Sequence, residues 1–390
     1  MKLDKKHRPG ETVRACQWGI GTCNIYYRGE KHDKTNVIVH SAALGKAILR
    51  KEKVQIEVAT MRYIRENASI PVSDVFGTGI CWAGRYIVMS CLEGVPRSTL
   101  LKDSSSAEKP VLSPQLSERS LKPAYCEMAA FIIEWLRHGF DSIGALREDG
   151  GNFSITRRSL TSNMSELMVS ANLPEGSACY LHISHLQLRL QQRDAASSED
   201  DYRKKFIAHL FLEITKDICA EDSQGPVRLY CDGFGPSNVL IDTAAFRVSG
   251  EGDLVMFLSR YHPELRVFVE ALGNHESELI ERQILSESQR LSPRMEDSVK
   301  TGLFWVCLAV RYSSMLDEIY CKFIDNWYYG PFNSLYGRMQ LWDPKQQQDM
   351  IELGRLKTGQ ADDKDIFVNH YPITELLELR LCNTEHRVVL

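Results

Sequence analysis

Residues 229–242, LYCDGFGPSNVLID, place an asparagine in a glycine-rich turn between two strand-like runs. Phosphoryl transfer uses a carboxylate that accepts the proton of the attacking hydroxyl and, further along the same loop, an asparagine that holds a metal ion. Asn238 suits the metal role, but Gly233 occupies the proton-accepting position and has no side chain. Asp232 stands one residue away, and in an extended segment that shift turns the side chain to the opposite face. The pattern predicts a degenerate catalytic loop or, alternatively, a plain turn joining two strands.

A second metal-binding carboxylate is the next group that this chemistry needs. Asp253, in RVSGEGDLVMF, is the candidate. Asp253 is also a good N-cap for a helix over residues 254–261, and we favour that interpretation. His182 and His185 share a helix face, but a pair of histidines without a third ligand is more typical of a helix surface than of a metal site.

Two features near the start of the chain are candidates for binding phosphates. The run WGIGTCN contains Gly19 and Gly21, whose backbone N–H groups could approach phosphate oxygens closely, although an ordinary hairpin turn explains them equally. A kinase-like site also pairs a strand cation with a glutamate on the next helix. The strand VIVH offers His40, and the next helix offers Glu57. A neutral imidazole brings no fixed charge at pH 7, and without other support both residues are ordinary strand and helix residues.

These candidates require a small β-rich lobe to position them. Short runs rich in β-branched and aromatic residues predict the strands Asn24–Tyr27, Asn36–His40 and Tyr86–Cys91. Apolar residues at helical spacing predict a helix over Lys53–Asn67, whose stripe comprises Val54, Val58, Met61 and Ile64. Residues 70–79 contain Pro71 and Gly77 and are predicted to be a connection.

The rest of the chain is predicted to be mostly helical. Residues 103–123 are rich in serine and proline and predict a surface loop. Helices are predicted over Ala124–His138 and Tyr202–Ile218 and within Ser298–Tyr329. The order predicts an α+β fold with two lobes: a β-rich lobe at 1–97 and a helical lobe at 98–390 that carries the loop 229–242.

Composition narrows the class of protein. The 390 residues are 43% hydrophobic and 25% charged, as expected for a globular chain with a large core. The net charge of −4 favours neither nucleic acid nor an anionic membrane as partner. No apolar run is long enough for a membrane span, and the start lacks the apolar segment of a signal peptide. The 11 cysteines show no metal-ligand spacing. We expect a cytoplasmic protein with reduced thiols, and its oligomeric state stays open.

The motifs together resemble the fungal proteins of the aminoglycoside phosphotransferase family, relatives of choline kinase within the protein-kinase-like fold. The resemblance rests on WGIGTCN, YIVMSCLEGVP, FDSIGALRED and CDGFGPSNVLID, and on a helical run with TGLFWVCLAVR. It implies ATP and Mg²⁺ as cofactors and a small-molecule hydroxyl as substrate. It also implies an adenine-binding hinge near Met89–Leu92, to which Met89 and Cys91 would contribute.

Three departures from the family pattern concern the site itself. Gly233 stands where similar proteins have the proton-accepting aspartate, and His40 stands where they have arginine. After Gly250 the chain continues directly into GDLVMFLSRYHPEL, so the strand that carries the metal aspartate is missing. Loss of a catalytic base alone lowers rates by about 10²–10⁴. The departures predict weak ATP binding and weakened or lost transfer.

Three alternatives remain open. An active small-molecule kinase would use Asp232 or Asp253 in an altered geometry. A non-catalytic nucleotide-binding or scaffold protein would keep only the fold. A gene-model error that skipped an exon at Gly250 would restore the metal strand but would leave Gly233 in place.

Overall fold

The computed structural model describes most of the first 160 residues and the helical stretch that begins at Leu254. The described residues are 3–21, 24–43, 49–96, 117–142, 144–158, 160, 210–211, 214–215, 227–228, 240–241, 254–311, 316–331, 337–338, 340–342, 344–345, 347–348 and 351–352. The chain forms two compact units. One comprises residues 1–160 and 224–304, and the other comprises residues 161–223 and 305–390.

A five-stranded antiparallel sheet forms the start of the first unit. Its strands are β1 (Thr12–Ile20), β2 (Asn24–Lys31), β3 (Asn36–Ala42), β4 (Val75–Cys81) and β5 (Gly84–Ser90). The order across the sheet is β1-β2-β3-β5-β4, and helix α1 (Arg50–Asn67) connects β3 to β4. The three predicted strands and the predicted helix are therefore confirmed.

Two strands differ from the prediction. Residues 70–79 were expected to form a connection, but β4 begins at Val75 and continues through Gly77 to Cys81. The reason is that β4 pairs along its length with β5, apart from one irregularity between Val75 and Gly77. β1 was not predicted as a strand, because most of its residues are exposed and it lacks an alternating apolar pattern.

The sheet buries apolar side chains on both faces. On one face, Val54 and Val58 of α1 pack against Ile87 of β5. His40 lies directly opposite Ile87 in the β3–β5 ladder, and residues opposite each other point to the same face of a sheet. The side chain of His40 is therefore on the face that α1 covers.

The opposite face is covered by the start of the chain. Leu3 packs against a cluster comprising Val37, Val39, Tyr86 and Val88. The next residue, Asp4, accepts a hydrogen bond from Lys31 Nζ at 2.6 Å, and both side chains are buried. His7 then lies edge-on to Tyr86, with the ring centroids 5.8 Å apart. The N-terminal segment thus belongs to the core of the lobe.

Helices dominate the described part of the chain beyond the sheet. They are α2 (Glu118–Leu136), α3 (Leu254–Glu281), α4 (Ser292–Lys300), α5 (Leu303–Arg311), α6 (Leu316–Ile319) and α7 (Asp325–Tyr329), with a π-helical turn at Tyr320–Ile324. Ala129 and Ile133 of α2 pack against Leu272 of α3. Leu210, Phe211, Ile214 and Thr215 are helical and buried, inside the helix predicted from Tyr202 to Ile218.

The helix bounds correct one prediction and extend another. α2 begins at Glu118, so the last residues of the predicted loop 103–123 are helical. Helices were expected within Ser298–Tyr329 and are found there, with a break after Lys300, where Gly302 has a φ of +79° that a continuous helix does not allow. The helix predicted over 254–261 continues to Glu281.

Short strands interrupt the helical part. β6 (Val95–Pro96) pairs with β11 (Leu240–Ile241), and β7 (Gly139–Phe140) pairs with β10 (Val227–Arg228). β8 (Ala145–Asp149) and β9 (Asn152–Arg157) form a hairpin. Its turn residues Gly150 and Gly151 both have positive φ, the conformation that tight hairpin turns require.

The architecture confirms the predicted fold class. An antiparallel sheet of five strands carries a single helix between β3 and β4, and a mainly helical part follows it in the chain. This is the arrangement of a kinase-like fold. None of the helices in the described part of the chain is both long and apolar enough to cross a bilayer.

Candidate functional site

The structure describes six of the ten predicted site residues. Gly19, Gly21, His40, Glu57, Met89 and Cys91 lie in the sheet lobe, on β1 and the residue after it, β3, α1, β5 and the residue after it. Asp232, Gly233, Asn238 and Asp253 lie outside the described residues, as do His182 and His185. Their predicted roles remain predictions.

The segments on either side of the loop 229–242 are paired with other parts of the chain. Before the loop, Val227 and Arg228 form an antiparallel pair with Phe140 and Gly139. At its end, Leu240 and Ile241 pair with Pro96 and Val95. The predicted exit strand is thereby confirmed at residues 240–241, and it lies beside the segment that follows the predicted hinge.

Gly19 and Gly21 belong to the hairpin between β1 and β2. The Gly21 N–H donates a hydrogen bond to the Asn24 carbonyl at 2.8 Å, which closes the turn. Gly19 lies opposite Tyr26, after an irregularity in the β1–β2 ladder. A methyl group at Gly19 would meet nothing within 4 Å, and one at Gly21 would make only ordinary contacts at 3.7 Å. Neither glycine is required by its protein neighbours, and the space beside Gly19 is open.

His40 is a neutral, buried side chain. It is 5% exposed, and its ring lies stacked on Tyr26 with the centroids 4.8 Å apart. Burial lowers the pKa of His40, nearby Glu57 acts in the opposite direction, and nearby Lys53 lowers the pKa further. Its Nε2 is buried and has no hydrogen-bond partner among the described residues. His40 therefore supplies no positive charge on β3 at neutral pH.

Glu57 is paired with a lysine of its own helix. Lys53 Nζ contacts Glu57 Oε1, one helical turn away. The other carboxylate oxygen, Oε2, is buried and has no partner in the described part of the chain. The sequence interpretation missed Lys53, although a lysine and a glutamate four residues apart on a helix are a recognisable signal.

A polar network holds the predicted hinge against β2 and β3. The Cys91 N–H donates to the Asn36 carbonyl at 3.3 Å. The Asn36 side chain accepts from Arg28 Nε at 3.1 Å and donates to Glu93 Oε1 at 2.9 Å. Burial, reinforced by the negative charge of Glu93, raises the pKa of the Cys91 thiol, while Arg28 acts against them. The thiol stays protonated at neutral pH, and the Cys91 amide is engaged with β3.

Ionic and polar contacts tie helix α1 to the β8–β9 hairpin. Arg158 binds Glu52 through two hydrogen bonds, of 2.8 and 2.7 Å. Arg157 donates to Gln55 Oε1 at 2.7 Å, one helical turn from the Glu52 end of the helix. These contacts fix the half of α1 that carries Lys53 and Glu57.

The described residues contain no metal-binding cluster, but they contain two buried polar atoms without partners. Within the described ranges, no group of three or more histidine, cysteine, aspartate or glutamate side chains is placed to hold a metal. By contrast, His40 Nε2 and Glu57 Oε2 are buried polar atoms without protein partners there, and such atoms are costly unless something bonds to them.

Comparisons with solved structures return kinases and phosphotransferases. The chain is similar to a macrolide 2′-phosphotransferase, MphH, from Brachybacterium faecium, with 11% identity, 85% of this chain and 97% of that chain covered, and a TM-score of 0.39. It is also similar to the GDP complex of a mutant aminoglycoside 2′-phosphotransferase IIIa, with 10% identity, 85% and 98% covered, and a TM-score of 0.43.

A candidate fructosamine-3-kinase from Thermobifida fusca has 13% identity, 91% and 97% of the two chains covered, and a TM-score of 0.37. No protein-family profile matches the chain, and no curated protein matches its sequence. The fold class rests on the order of the five strands and on the place of α1, not on these similarities.

Proposed function

We propose that the chain is a kinase-like nucleotide-binding protein in which phosphoryl transfer to a small-molecule hydroxyl is weakened or lost. The observation that carries the proposal is His40. It is buried, neutral and stacked on Tyr26 at the position where a kinase-like site needs a cation. The resemblance to the fungal aminoglycoside phosphotransferases supports adenine binding near Met89 and Cys91, at and just after the end of β5.

The missing proton acceptor supports the same conclusion. In the transfer, the hydroxyl oxygen forms a bond to the γ-phosphorus of ATP, the bond to the bridging oxygen of ADP breaks, and the hydroxyl proton passes to a base. Gly233 has no group to accept that proton. Slow or absent transfer with weak nucleotide binding is the expected outcome.

The division into lobes at residue 97 is part of the proposal. The five-stranded sheet and α1 are complete by Ser90, and the next helix in the described part of the chain begins at Glu118. A fragment ending near residue 97 would keep the sheet with both of its covered faces, but would lose the contacts of α1 with β8 and β9.

Turnover and binding are tested separately. ATP consumption is measured against pooled alcohols and aminoglycosides, and ATP binding is measured by thermal shift with and without Mg²⁺. We expect little or no turnover and at most a small stabilisation by ATP, to which Mg²⁺ adds far less than the ~1–3 kcal/mol typical of coupled ligands. A large stabilisation seen only with Mg²⁺ would contradict the proposed loss of the metal site.

The competing function is an active small-molecule kinase that uses Asp232 or Asp253. It predicts turnover that Asn238→Ala abolishes and that Asp232→Asn or Asp253→Asn lowers strongly. Since His40 gives no cation, this function also requires another positive group at the phosphates. Turnover sensitive to Asn238 would replace the proposal with this one.

A further inference from the structure

Helix α1 carries Lys53, a cation on the side of the sheet where His40 of β3 supplies no charge. Lys53 and Glu57 each precede a residue that packs on the sheet, Val54 and Val58, so the pair occupies the strip of the helix beside its buried face. Their side chains are only 21% and 25% exposed. Val54 packs against Ile87, which lies directly opposite His40 in the β3–β5 ladder, so the pair belongs to the helix that covers the His40 side of the sheet.

A plain surface ion pair does not account for this arrangement. Exposed pairs at this helical spacing contribute only about 0.3–0.5 kcal/mol. A lysine in the first turns of a helix is also repelled by the positive N-terminal end of the helix dipole. A pair in which the lysine precedes the glutamate stabilises a helix less than the reverse order. The pair therefore does little for the stability of α1.

Two buried atoms beside the pair lack partners. Glu57 Oε2 and His40 Nε2 are both buried without hydrogen bonds in the described part of the chain. Only 5% of His40 is exposed, so bulk water does not reach its Nε2 to form a hydrogen bond.

We propose that Lys53 of helix α1 binds the nucleotide phosphates in place of the strand cation, and that Glu57 holds the lysine in position. The inference rests on the proposed nucleotide-binding function and names the group that would carry it. Both partners of the cation–glutamate pair then come from one helix, whereas a kinase-like site takes them from β3 and the helix.

The test compares ATP with adenosine, which lacks phosphates. Binding of both is measured by calorimetry on the full chain and on Lys53→Met, Lys53→Arg and Lys51→Met. Lys51 is the matched control because it lies on the same helix and is exposed. Lys53→Met should weaken ATP about 10- to 100-fold, as for the loss of a hydrogen bond to a charged group, and should leave adenosine unchanged.

The outcomes separate this inference from the proposed function. Unchanged adenosine binding shows that Lys53→Met is folded, and Lys53→Arg should hold the ATP affinity within a few-fold. If ATP binds Lys53→Met as tightly as the parent chain, Lys53 is a structural partner of Glu57 and the inference is wrong. If the parent chain binds neither ligand, the proposed function fails, and the inference fails with it.

Discussion

The imidazole of His40 lies almost parallel to the phenol ring of Tyr26, with the ring centroids 4.8 Å apart and the planes 15° apart. The two residues are direct neighbours in the β2–β3 ladder. Stacking on one side and burial under α1 on the other keep His40 out of water. The end of β3 is therefore occupied here by an uncharged aromatic pair.

The burial of His40 predicts a pH dependence of stability. Its pKa is lowered from 6.5 in the folded chain, where Glu57 and Lys53 are the charged groups acting on it. The stability associated with neutral His40 is thus fully present above pH 6.5. It decreases as the pH falls, because His40 takes up a proton in the unfolded chain at a higher pH than in the folded chain. The free energy of unfolding should fall with a slope of at most about 1.4 kcal/mol per pH unit from this group.

His40→Leu removes that contribution, and the exposed His32 serves as control. Urea unfolding is measured from pH 7.5 to 5.0. His40→Leu should flatten the slope below pH 6.5 and should match or exceed the parent in stability, because it also removes an unpaired buried nitrogen. A His40→Leu slope equal to that of His32→Leu would mean that His40 is protonated in the folded chain.

Two glycines of β4 are required by close packing, and one glycine of β1 is not. A methyl group at Gly79 would lie 2.3 Å from the Tyr86 hydroxyl, and one at Gly77 would lie 2.2 Å from His7 Nδ1. Gly77→Ala and Gly79→Ala should each lower the free energy of unfolding by about 1–3 kcal/mol. Gly19→Ala, which meets open space, should change it by less than about 0.5 kcal/mol. Equal effects in all three variants, measured by urea unfolding, would contradict the packing of the N-terminal segment.

The buried pair of Asp4 and Lys31 predicts a second dependence on pH. Burial, the largest effect, raises the pKa of Asp4, but hydrogen bonds from Lys31 and Thr12 outweigh it, and the pKa lies below its ordinary value of 3.8. The stability from this group is full above pH 3.8 and is lost as the pH falls through the folded pKa.

Lys31→Met leaves the Asp4 carboxylate buried without its cation. It should cost about 3–5 kcal/mol at pH 7, and less at acid pH, where the carboxyl can take up a proton. Lys5→Met, in the same N-terminal turn but exposed, is the control and should change little. Thermal unfolding at pH 7 and pH 3 measures both. A cost that grows at low pH would contradict the pairing.

Glu276 stabilises the start of helix α4. Its buried carboxylate accepts the N–H of Leu291 at 2.6 Å and the N–H of Ser292 at 3.3 Å, as well as the Ser292 hydroxyl. Glu276→Ala should lower the free energy of unfolding by about 1–3 kcal/mol, because these donors lose their acceptor. Glu278→Ala, at an exposed position of α3, the helix that also carries Glu276, should be near neutral. Comparable losses in the two variants, by urea unfolding, would remove Glu276 from this role.

The sequence predicts elements well where one face is buried. The stripe of α1 appears as apolar residues at helical spacing because Val54 and Val58 pack on the sheet. β3 and β5 appear as β-branched runs because they lie in the interior of the sheet. β1 and β4 were missed because they are its two edge strands, where exposure and glycines weaken the pattern.

The site was only partly readable from the sequence. The absence of a carboxylate at Gly233 and of a cation at His40 is visible in the residue types. The partner of Glu57 was not visible in the residue types. The expected partner was His40 on β3, whereas the actual partner is Lys53, one turn away on α1. Only the tertiary structure buries His40, and burial in a medium that disfavours charge makes the imidazole neutral and leaves Lys53 as the nearby cation.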